Sequence, residues 1–358
     1  MQDALKHRQS ELIQAMRFPL IVLVLFEHSV RGDLDPMRWS LDGANVFHFI
    51  TELISHHICP IAVPCFFIFS GFFFFANLNE GQFDLHWLAN KWKRRLRTLL
   101  IPYLFWNLFN VVAILLVSAL FNIFNFPVTS NPMSAVQQGP LFWFLTGPID
   151  FPLWYLRDLI GLSLLAPLFY LLFKNIPRLS LLLIFGLYLF SAQGGFYPSF
   201  FFFGAGAWAA IQGKNLLVLC RSVNRPAALL AVALVVLSTC LYGRSYHRLV
   251  QLLFFPFGVI TFVNMCDHWV DFPKTKEILL KLSESVFFIY AAHEIYILGW
   301  TKGMFLRLFG DGLPGQWICY FAAPLLTLSI CLVLYFVLKK LTPRFLNFSC
   351  GNRIAFTQ

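Results

Sequence analysis

One apolar segment near the start of the chain carries an arginine at one end and a histidine at the other. The segment reads RFPLIVLVLFEHSV and places His28 eleven residues after Arg17. In an α-helix this spacing is three turns plus about 20°, so both side chains share a face, about 16 Å apart. An imidazole can serve as a general base or a nucleophile, and a guanidinium binds phosphate oxygens. The pair therefore predicts a path through the protein with polar groups at two depths.

The same residues also have a structural interpretation. Arg17 could extend its charge toward one membrane surface while His28 makes a single hydrogen bond at the other. An ionisable residue within a membrane span is nevertheless a functional hypothesis by default. Glu27 is adjacent to His28 and points to another face, which leaves Asp33 as a candidate partner of the imidazole.

A basic cluster, KWKRRLR, occupies residues 91–97. Arg94 and Arg97 are three residues apart, share a helical face and could bind phosphate groups. A cytoplasmic loop without any ligand often has the same composition, and on charge alone that interpretation is favoured.

Three later segments place polar side chains among apolar ones. Ser70-Gly71 interrupts the phenylalanines of VPCFFIFSGFFFF, where small residues also allow close helix packing. Arg157 and Asp158 begin an apolar segment in PLWYLRD. His293 lies about ten residues into another segment, SESVFFIYAAH, which predicts a position deep in the membrane.

Metal chemistry has little support in the sequence. His48, Glu52 and His56 have i, i+4, i+8 spacing, which could hold a metal if that loop is helical. A polar face on an interfacial helix is the commoner cause of such spacing. The eight cysteines form no CxxC pair and lie mostly in apolar runs, so we predict neither a zinc site nor a disulfide framework.

The composition of the chain indicates which type of secondary structure positions these residues. Of the 358 residues 58% are hydrophobic and only 12% are charged, whereas a soluble domain has about 25% charged residues. The sequence therefore predicts an all-α integral membrane protein that lies in a lipid bilayer. Lys and Arg collect in cytoplasmic loops of such proteins, so the net charge of +10 does not indicate nucleic-acid binding.

Apolar segments predict a bundle of about ten transmembrane helices. Their approximate bounds are 12–30, 57–77, 98–121, 152–173, 179–192, 197–212, 226–243, 248–266, 284–301 and 317–338. With the N-terminus inside, 19 Lys and Arg fall on the inner side and 6 on the outer, which predicts that both termini are cytoplasmic. Residues 1–358 then form a single transmembrane domain, with 338–358 as a short cytoplasmic tail. The longest connection, 122–151, has no Lys or Arg and falls outside.

Five motifs in order resemble the acyltransferase-3 family of bacterial multispan membrane proteins, over nearly the whole chain. Arg17 and His28 match its arginine-histidine signature in the first span. The other resembling segments are AVPCFFIFSGFFFF, KRRLRTLLIPYLFWN, PLWYLRDLI and FFIYAAHEIY.

This resemblance implies transfer of an acyl group, usually acetyl, from cytoplasmic acyl-coenzyme A to a hydroxyl of an extracytoplasmic glycan or lipid-linked sugar. It implies ten helices in the bacterial inner membrane. From the residues themselves we expect no metal cofactor. His28 and Arg17 are then the expected catalytic residues. The expected donor-binding residues are Arg94, Arg97 and Ser70, and the expected acceptor-binding residues are Tyr155, Arg157, Asp158 and His293.

Two other functions fit part of the pattern. A polytopic transporter or flippase of polysaccharide or lipid would also have intramembrane Arg and His, although no inverted repeat is visible. A different membrane acyltransferase built around one deep histidine would use His293, but the paired Arg17 and His28 argue against it. The sequence names neither the acyl group, nor the acceptor, nor the oligomeric state, and it leaves open whether His28 is a base or an acyl carrier.

Overall fold

In the computed structural model of the protein, the described residues are 2–30, 37–76, 78, 83–124, 136–190 and 196–353. All regular structure among them is helical. We number the α-helices α1 to α18, and they are Gln2–Glu27, Gly43–Thr51, Ala62–Phe75, Leu85–Arg95, Ile101–Ile123, Pro140–Leu145, Trp154–Leu164, Ala166–Asn175, Pro177–Phe190, Phe196–Ile211, Leu216–Ser222, Asn224–Cys240, His247–Trp269, Pro273–Ser283, Val286–Ala292, Leu298–Phe309, Leu313–Leu341 and Pro343–Ser349.

Among the described residues, five helical stretches are long and apolar enough to cross a membrane. They are Ala4–Glu27, Gly43–Phe75, Leu85–Ile123, His247–Trp269 and Leu313–Leu341. Two pairs, α7 with α8 and α11 with α12, bend by 57° and 75° and raise the number to seven if each pair is one span. The all-helical membrane class is confirmed for the described residues, whereas ten spans and cytoplasmic termini stay predictions.

The outer surface of the helices is apolar, as contact with lipid requires. Leu116, Leu229, Val232 and Val333 are among many large apolar side chains that lie exposed on helices α5, α12 and α17. In water such a surface would promote aggregation, but in lipid it matches the solvent.

Helix α1 lies in the interior of the bundle. Leu12, Met16, Leu20 and Ile21 are almost completely buried, and the helix contacts α13, α14, α15 and α17. Because α1 is surrounded, the polar residues on it face other helices and not only lipid. This placement is what brings Arg17 and His28 into contact with distant parts of the chain.

Two glycines let α3 and α10 pack against each other at backbone distance. A Cβ at Gly71 would overlap the Phe203 carbonyl oxygen, and one at Gly206 would overlap the Ile68 carbonyl oxygen. The structure thus confirms small-residue packing at the Ser70-Gly71 step. This close packing of α3 against α10 leaves the Ser70 hydroxyl available for other contacts.

Three helical stretches contain π-helical turns, at Glu52–Ile58, Leu96–Leu100 and His293–Ile297. Such turns shift the facing of every later residue and occur often at functional sites. The last one is a true break, since Ile295 has ψ 80° and Tyr296 has φ 63°.

The connection before α7 is held against the side of α5. The Tyr103 hydroxyl donates to the carbonyls of Trp143 and Phe144 at 3.2 and 2.9 Å. The Asn107 side-chain oxygen accepts the Ile149 N–H at 2.9 Å. These bonds satisfy backbone groups that would be costly in lipid and fix the approach of the chain to the site.

Candidate active site

His28 lies one residue beyond α1, facing the broken helix that carries His293. Its backbone N–H still donates to the Val24 carbonyl at 3.2 Å, so it continues the helical path. Its Nδ1 lies 3.8 Å from Glu294 Oε1, and its ring centre lies 5.5 Å from that of His293. The His28 side chain is 21% exposed, so the imidazole remains accessible.

His293 is completely buried and has a fixed tautomer. Its Nδ1 lies 3.1 Å from the Ile289 carbonyl and 2.8 Å from the Tyr290 carbonyl. Carbonyl oxygens only accept, so Nδ1 must carry the proton and Nε2 must present its lone pair. Nε2 has no hydrogen-bond partner among the described residues. This imidazole is oriented as a hydrogen-bond acceptor next to His28.

The helix break positions Glu294 for this contact. A residue other than glycine with positive φ is strained, and such strain persists where the surroundings hold it. Tyr296 adopts φ 63° two residues after Glu294. Glu294 is not among the residues predicted from the sequence, although it follows His293 directly in AAHEIY. Asp33, the partner suggested by the sequence, lies outside the described residues, and Glu27 lies within electrostatic range of His56.

A second group of polar side chains surrounds Tyr155 on α7. The guanidinium groups of Arg17, Arg95 and Arg353 all lie within electrostatic range of its hydroxyl. Arg95 also donates to the Ser70 hydroxyl at 3.2 Å and to the Ser70 carbonyl at 3.1 Å. Among the described residues none of the three arginines has a carboxylate partner. We call Arg17, Arg95 and Arg353 the arginine cluster.

The arginine that reaches the interior is the one between the two named from the sequence. Arg94 and Arg97 are exposed on the outer face of their helix, and Arg95 is half-buried. The π-helical turn at Leu96–Leu100 begins directly after Arg95, so simple 3.6-residue spacing does not describe this region. Donor binding by Arg94 and Arg97 stays a prediction, and Ser70 contacts the inward-facing arginine.

Two tyrosines join the arginine cluster to the histidines. The rings of Tyr155 and Tyr290 lie 6.0 Å apart, nearly perpendicular to each other. The Tyr290 hydroxyl donates to the Pro152 carbonyl at 2.5 Å, and the Tyr290 carbonyl accepts from His293. This aromatic contact connects the surroundings of Arg17 with those of His28. The two residues, which the sequence places on one face of α1, therefore belong to one site.

Arg157 and Asp158 bind each other and the neighbouring loop. Arg157 donates to Asp158 Oδ1 at 2.8 Å and also to the Thr146 carbonyl. Asp158 Oδ2 accepts from the Ser199 hydroxyl at 3.0 Å. These contacts hold the connection before α7 in place, and an additional contact with an acceptor stays a prediction.

Asp150 is a buried carboxyl that the sequence analysis did not find. It is fully buried, and neither carboxyl oxygen has a hydrogen-bond partner among the described residues. Burial, together with the nearby charge of Glu294, raises the pKa of Asp150 well above its usual range. The neutral form is therefore favoured beside the histidines.

The described residues contain no group of three or more His, Cys, Asp or Glu side chains arranged to hold a metal ion. His48, Glu52 and His56 do share a helical stretch, as their spacing suggested. Glu52 Oε1 lies 3.0 Å from His56 Nδ1 and 3.8 Å from His48 Nε2, which is the geometry of ion pairs.

One buried and one accessible imidazole thus lie beside a carboxylate within a helical membrane bundle, and aromatic contacts connect them to the arginine cluster. Such groups can serve transfer of an acyl group to a hydroxyl. A family model described as an acyltransferase domain matches residues 11–336, and the chain belongs to this acyltransferase family. It is also similar to the succinoglycan biosynthesis protein ExoH of Rhizobium meliloti (strain 1021). The two are 26% identical over 362 residues, which cover 96% of this chain and 92% of that protein. No solved structure matches the chain.

Proposed function

We propose that the protein is an O-acyltransferase that moves an acyl group from acyl-coenzyme A to a hydroxyl of an extracytoplasmic glycan. The acyl group that we propose is acetyl. The observation that carries this proposal is the single constellation in which His28 and Glu294 are joined through Tyr290 and Tyr155 to the arginine cluster. Membership of the acyltransferase family supports the reaction class. The name of the relative, a succinoglycan biosynthesis protein, supports a polysaccharide or its lipid-linked precursor as acceptor.

The proposed topology has ten spans in the bacterial inner membrane, with both termini in the cytoplasm and residues 1–358 as one domain. The excess of Lys and Arg on one side, 19 against 6, supports this orientation. The arginine cluster would then face the cytoplasm, where acyl-coenzyme A is made. His28, about 16 Å further along α1, would lie toward the acceptor.

The proposed reaction is a direct transfer. His28 takes the proton of the acceptor hydroxyl, and the oxygen attacks the thioester carbonyl. The C–S bond breaks, and the thiolate leaves with the proton that His28 has taken, so coenzyme A departs as the thiol. Glu294, 3.8 Å from His28 Nδ1, would stabilise the imidazolium that exists between these steps.

Accessibility favours His28 over His293 as the general base. A general base must come within hydrogen-bond distance of the proton it removes. His28 is 21% exposed, whereas His293 is 0% exposed and uses Nδ1 to bind backbone. We therefore assign the base to His28 and a hydrogen-bonding role on the acceptor side to His293, together with Tyr155, Arg157 and Asp158.

The test uses the full chain purified in detergent, with acyl-coenzyme A and a soluble oligosaccharide acceptor. His28→Ala should lower the transfer rate by about 10²–10⁴-fold while donor binding and folding remain. His86→Ala, which removes an exposed histidine on α4, is the matched control and should transfer normally.

Other outcomes would correct the proposal. Normal transfer by His28→Ala together with loss in His293→Ala would mean that the other histidine is the base. An acyl-imidazole trapped on His28 by rapid acid quench would replace the direct transfer by a two-step route. Absence of any transfer by the wild-type protein, with glycan or lipid moved across vesicles, would identify a transporter.

A further inference from the structure

The chain that follows the last long helix folds back onto the bundle. Helix α18 begins at Pro343, directly after α17, and Leu346, Ser349 and Cys350 are buried to 2% exposure or less. The Trp106 indole N–H of α5 donates to the Ser349 carbonyl at 3.0 Å. We call residues 343–353 the tail segment. The sequence analysis treated this region as a plain cytoplasmic tail, and its packing is a tertiary feature.

One glycine fits the tail segment onto the start of the third long span. Gly351 has φ +70°, a conformation that side chains other than glycine rarely adopt. A Cβ there would also lie 2.8 Å from Pro102 Cγ and 2.9 Å from both Thr98 Cα and its carbonyl oxygen. Backbone conformation and space therefore both require glycine at this position. Gly351 therefore fixes the direction in which the backbone continues to residues 352 and 353.

The backbone conformation at Gly351 positions Arg353. Its guanidinium lies 4.0 Å from the centre of the Phe287 ring and donates to the Thr98 carbonyl at 2.5 Å. It is also within electrostatic range of Arg17, Arg95 and the Tyr155 hydroxyl. Despite its contacts Arg353 remains exposed and is not enclosed in the core.

The Phe287 ring that Arg353 contacts lies 6.0 Å from the Tyr290 ring, which connects Arg353 to the tyrosines of the site. Arg353 is repelled by the like charges of Arg17 and Arg95, and no carboxylate partner of these arginines lies among the described residues. A structural arginine is normally paired, because an unpaired charge next to apolar surface is costly. An anion with several oxygens would relieve this repulsion and satisfy the planar donors. The tail segment lies beyond residue 336, where the match to the family model ends.

We propose that Arg353 is a donor-binding residue, and that the tail segment completes the phosphate site for acyl-coenzyme A. This inference rests on the proposed function, because it names a residue for the donor of that reaction. The nucleotide part of coenzyme A carries a diphosphate and a further phosphate, which match a three-arginine site. An anionic lipid headgroup has the same phosphate chemistry, and the experiment below separates the two.

The experiment compares two donors with the full-length protein in detergent. Acyl-coenzyme A carries the phosphates, and S-acyl-pantetheine carries the same thioester without any. Arg353→Ala should raise KM for acyl-coenzyme A about tenfold, the effect of losing one contact of about 1.4 kcal/mol, with kcat within about twofold. Its KM for S-acyl-pantetheine should be unchanged. Gly351→Ala, which displaces Arg353 without removing it, should show the same pattern more weakly.

Arg344→Ala is the matched control, because Arg344 is an exposed arginine in the same tail segment. It should behave as wild type with both donors. If Arg353→Ala lost activity equally with both donors, its role would be structural and the inference would be wrong. If it kept the wild-type preference for acyl-coenzyme A but lost thermal stabilisation by phosphatidylglycerol micelles, the anion would be a lipid headgroup and the inference would also be wrong. If wild type transferred from neither donor, the proposed function itself would fail.

Discussion

Helix α1 carries two arginines nine residues apart whose surroundings are opposite. Arg8 is paired, with its Nη2 at 2.8 Å from Asp267 and 2.6 Å from Asp271, and Arg221 approaches the other Asp267 oxygen at 2.6 Å. Arg17 has no carboxylate partner among the described residues, and it lies within electrostatic range of Tyr155 and of a second arginine, Arg353. Arg8 thus belongs to a network in which every charge is paired, which we call the closed network. Arg17, on the same helix, has no oppositely charged partner among the described residues.

The difference separates a structural role from a ligand-binding role. In the network around Asp267, each charge already has its partner, so the contacts join α1, α11 and α13 and need nothing more. In the arginine cluster, no carboxylate partner lies among the residues that the structure describes. Repulsion between fixed cations destabilises the empty site and strengthens the binding of an anion. Removing one member should therefore have opposite effects in the two networks.

The largest expected effect concerns Arg17. Arg17→Ala should lower kcat/KM for transfer by about 10–10²-fold, because it removes a charged hydrogen bond to the donor phosphates worth about 1.5–3 kcal/mol. The melting temperature in detergent should stay the same or rise, because an unpaired charge has been removed. Both quantities can be measured on one preparation. A fall in melting temperature that matched the loss of activity would make Arg17 structural and remove the contrast with Arg8.

The reverse pattern is expected for Asp267. Asp267→Asn should lower the free energy of unfolding by about 2 kcal/mol, because two arginines lose a charged hydrogen-bond partner. Transfer per molecule of folded protein should be unchanged, since the network contacts no part of the candidate site. Thermal unfolding in detergent and activity normalised to folded protein check this. Loss of kcat at full stability would show that the closed network serves the reaction after all.

A smaller effect should distinguish the three neighbouring arginines of α4 and its continuation. Arg95→Ala should raise KM for acyl-coenzyme A about tenfold, because Arg95 faces the cluster and its removal costs one phosphate contact. Steady-state kinetics with Arg94→Ala and Arg97→Ala test the sequence prediction directly. Weakened donor binding in these variants, with none in Arg95→Ala, would place the donor on the outer face of the helix.

The smallest effect is a pH dependence at the surface of the paired network. The hydrogen bond from Arg8 lowers the pKa of Asp271 below its usual range. A carboxylate with a lowered pKa stabilises the fold above its unfolded pKa, near 4, and this stabilisation is lost as the pH falls further. The melting temperature of wild type should therefore fall slightly more than that of Asp271→Asn between about pH 5 and pH 3. Equal falls would mean that this exposed pair contributes nothing measurable.

Part of the site could be predicted because it lies on one helix. The eleven-residue spacing of Arg17 and His28 fixes their shared face by helix geometry alone, and each then contacts the same constellation. His293 was found because a histidine deep in an apolar segment is costly. Glu294 and Arg95 were missed although each is adjacent to a residue that was named. Glu294 lies within a π-helical turn and Arg95 directly precedes one, so the regular spacing by which Arg94 and Arg97 were placed on one face does not hold across this region.

The sequence by itself determined the solvent of this protein and the class of its fold. A chain that is 58% hydrophobic and 12% charged can bury its backbone polar groups in lipid only by forming helices or a closed barrel, and its long apolar runs select helices. The tertiary structure alone decided which distant residues meet. Glu294 lies 266 positions after His28, and Arg353 lies 336 positions after Arg17. Helix packing, the break at His293–Ile297 and the turn at Gly351 bring them together, and no local periodicity records such contacts.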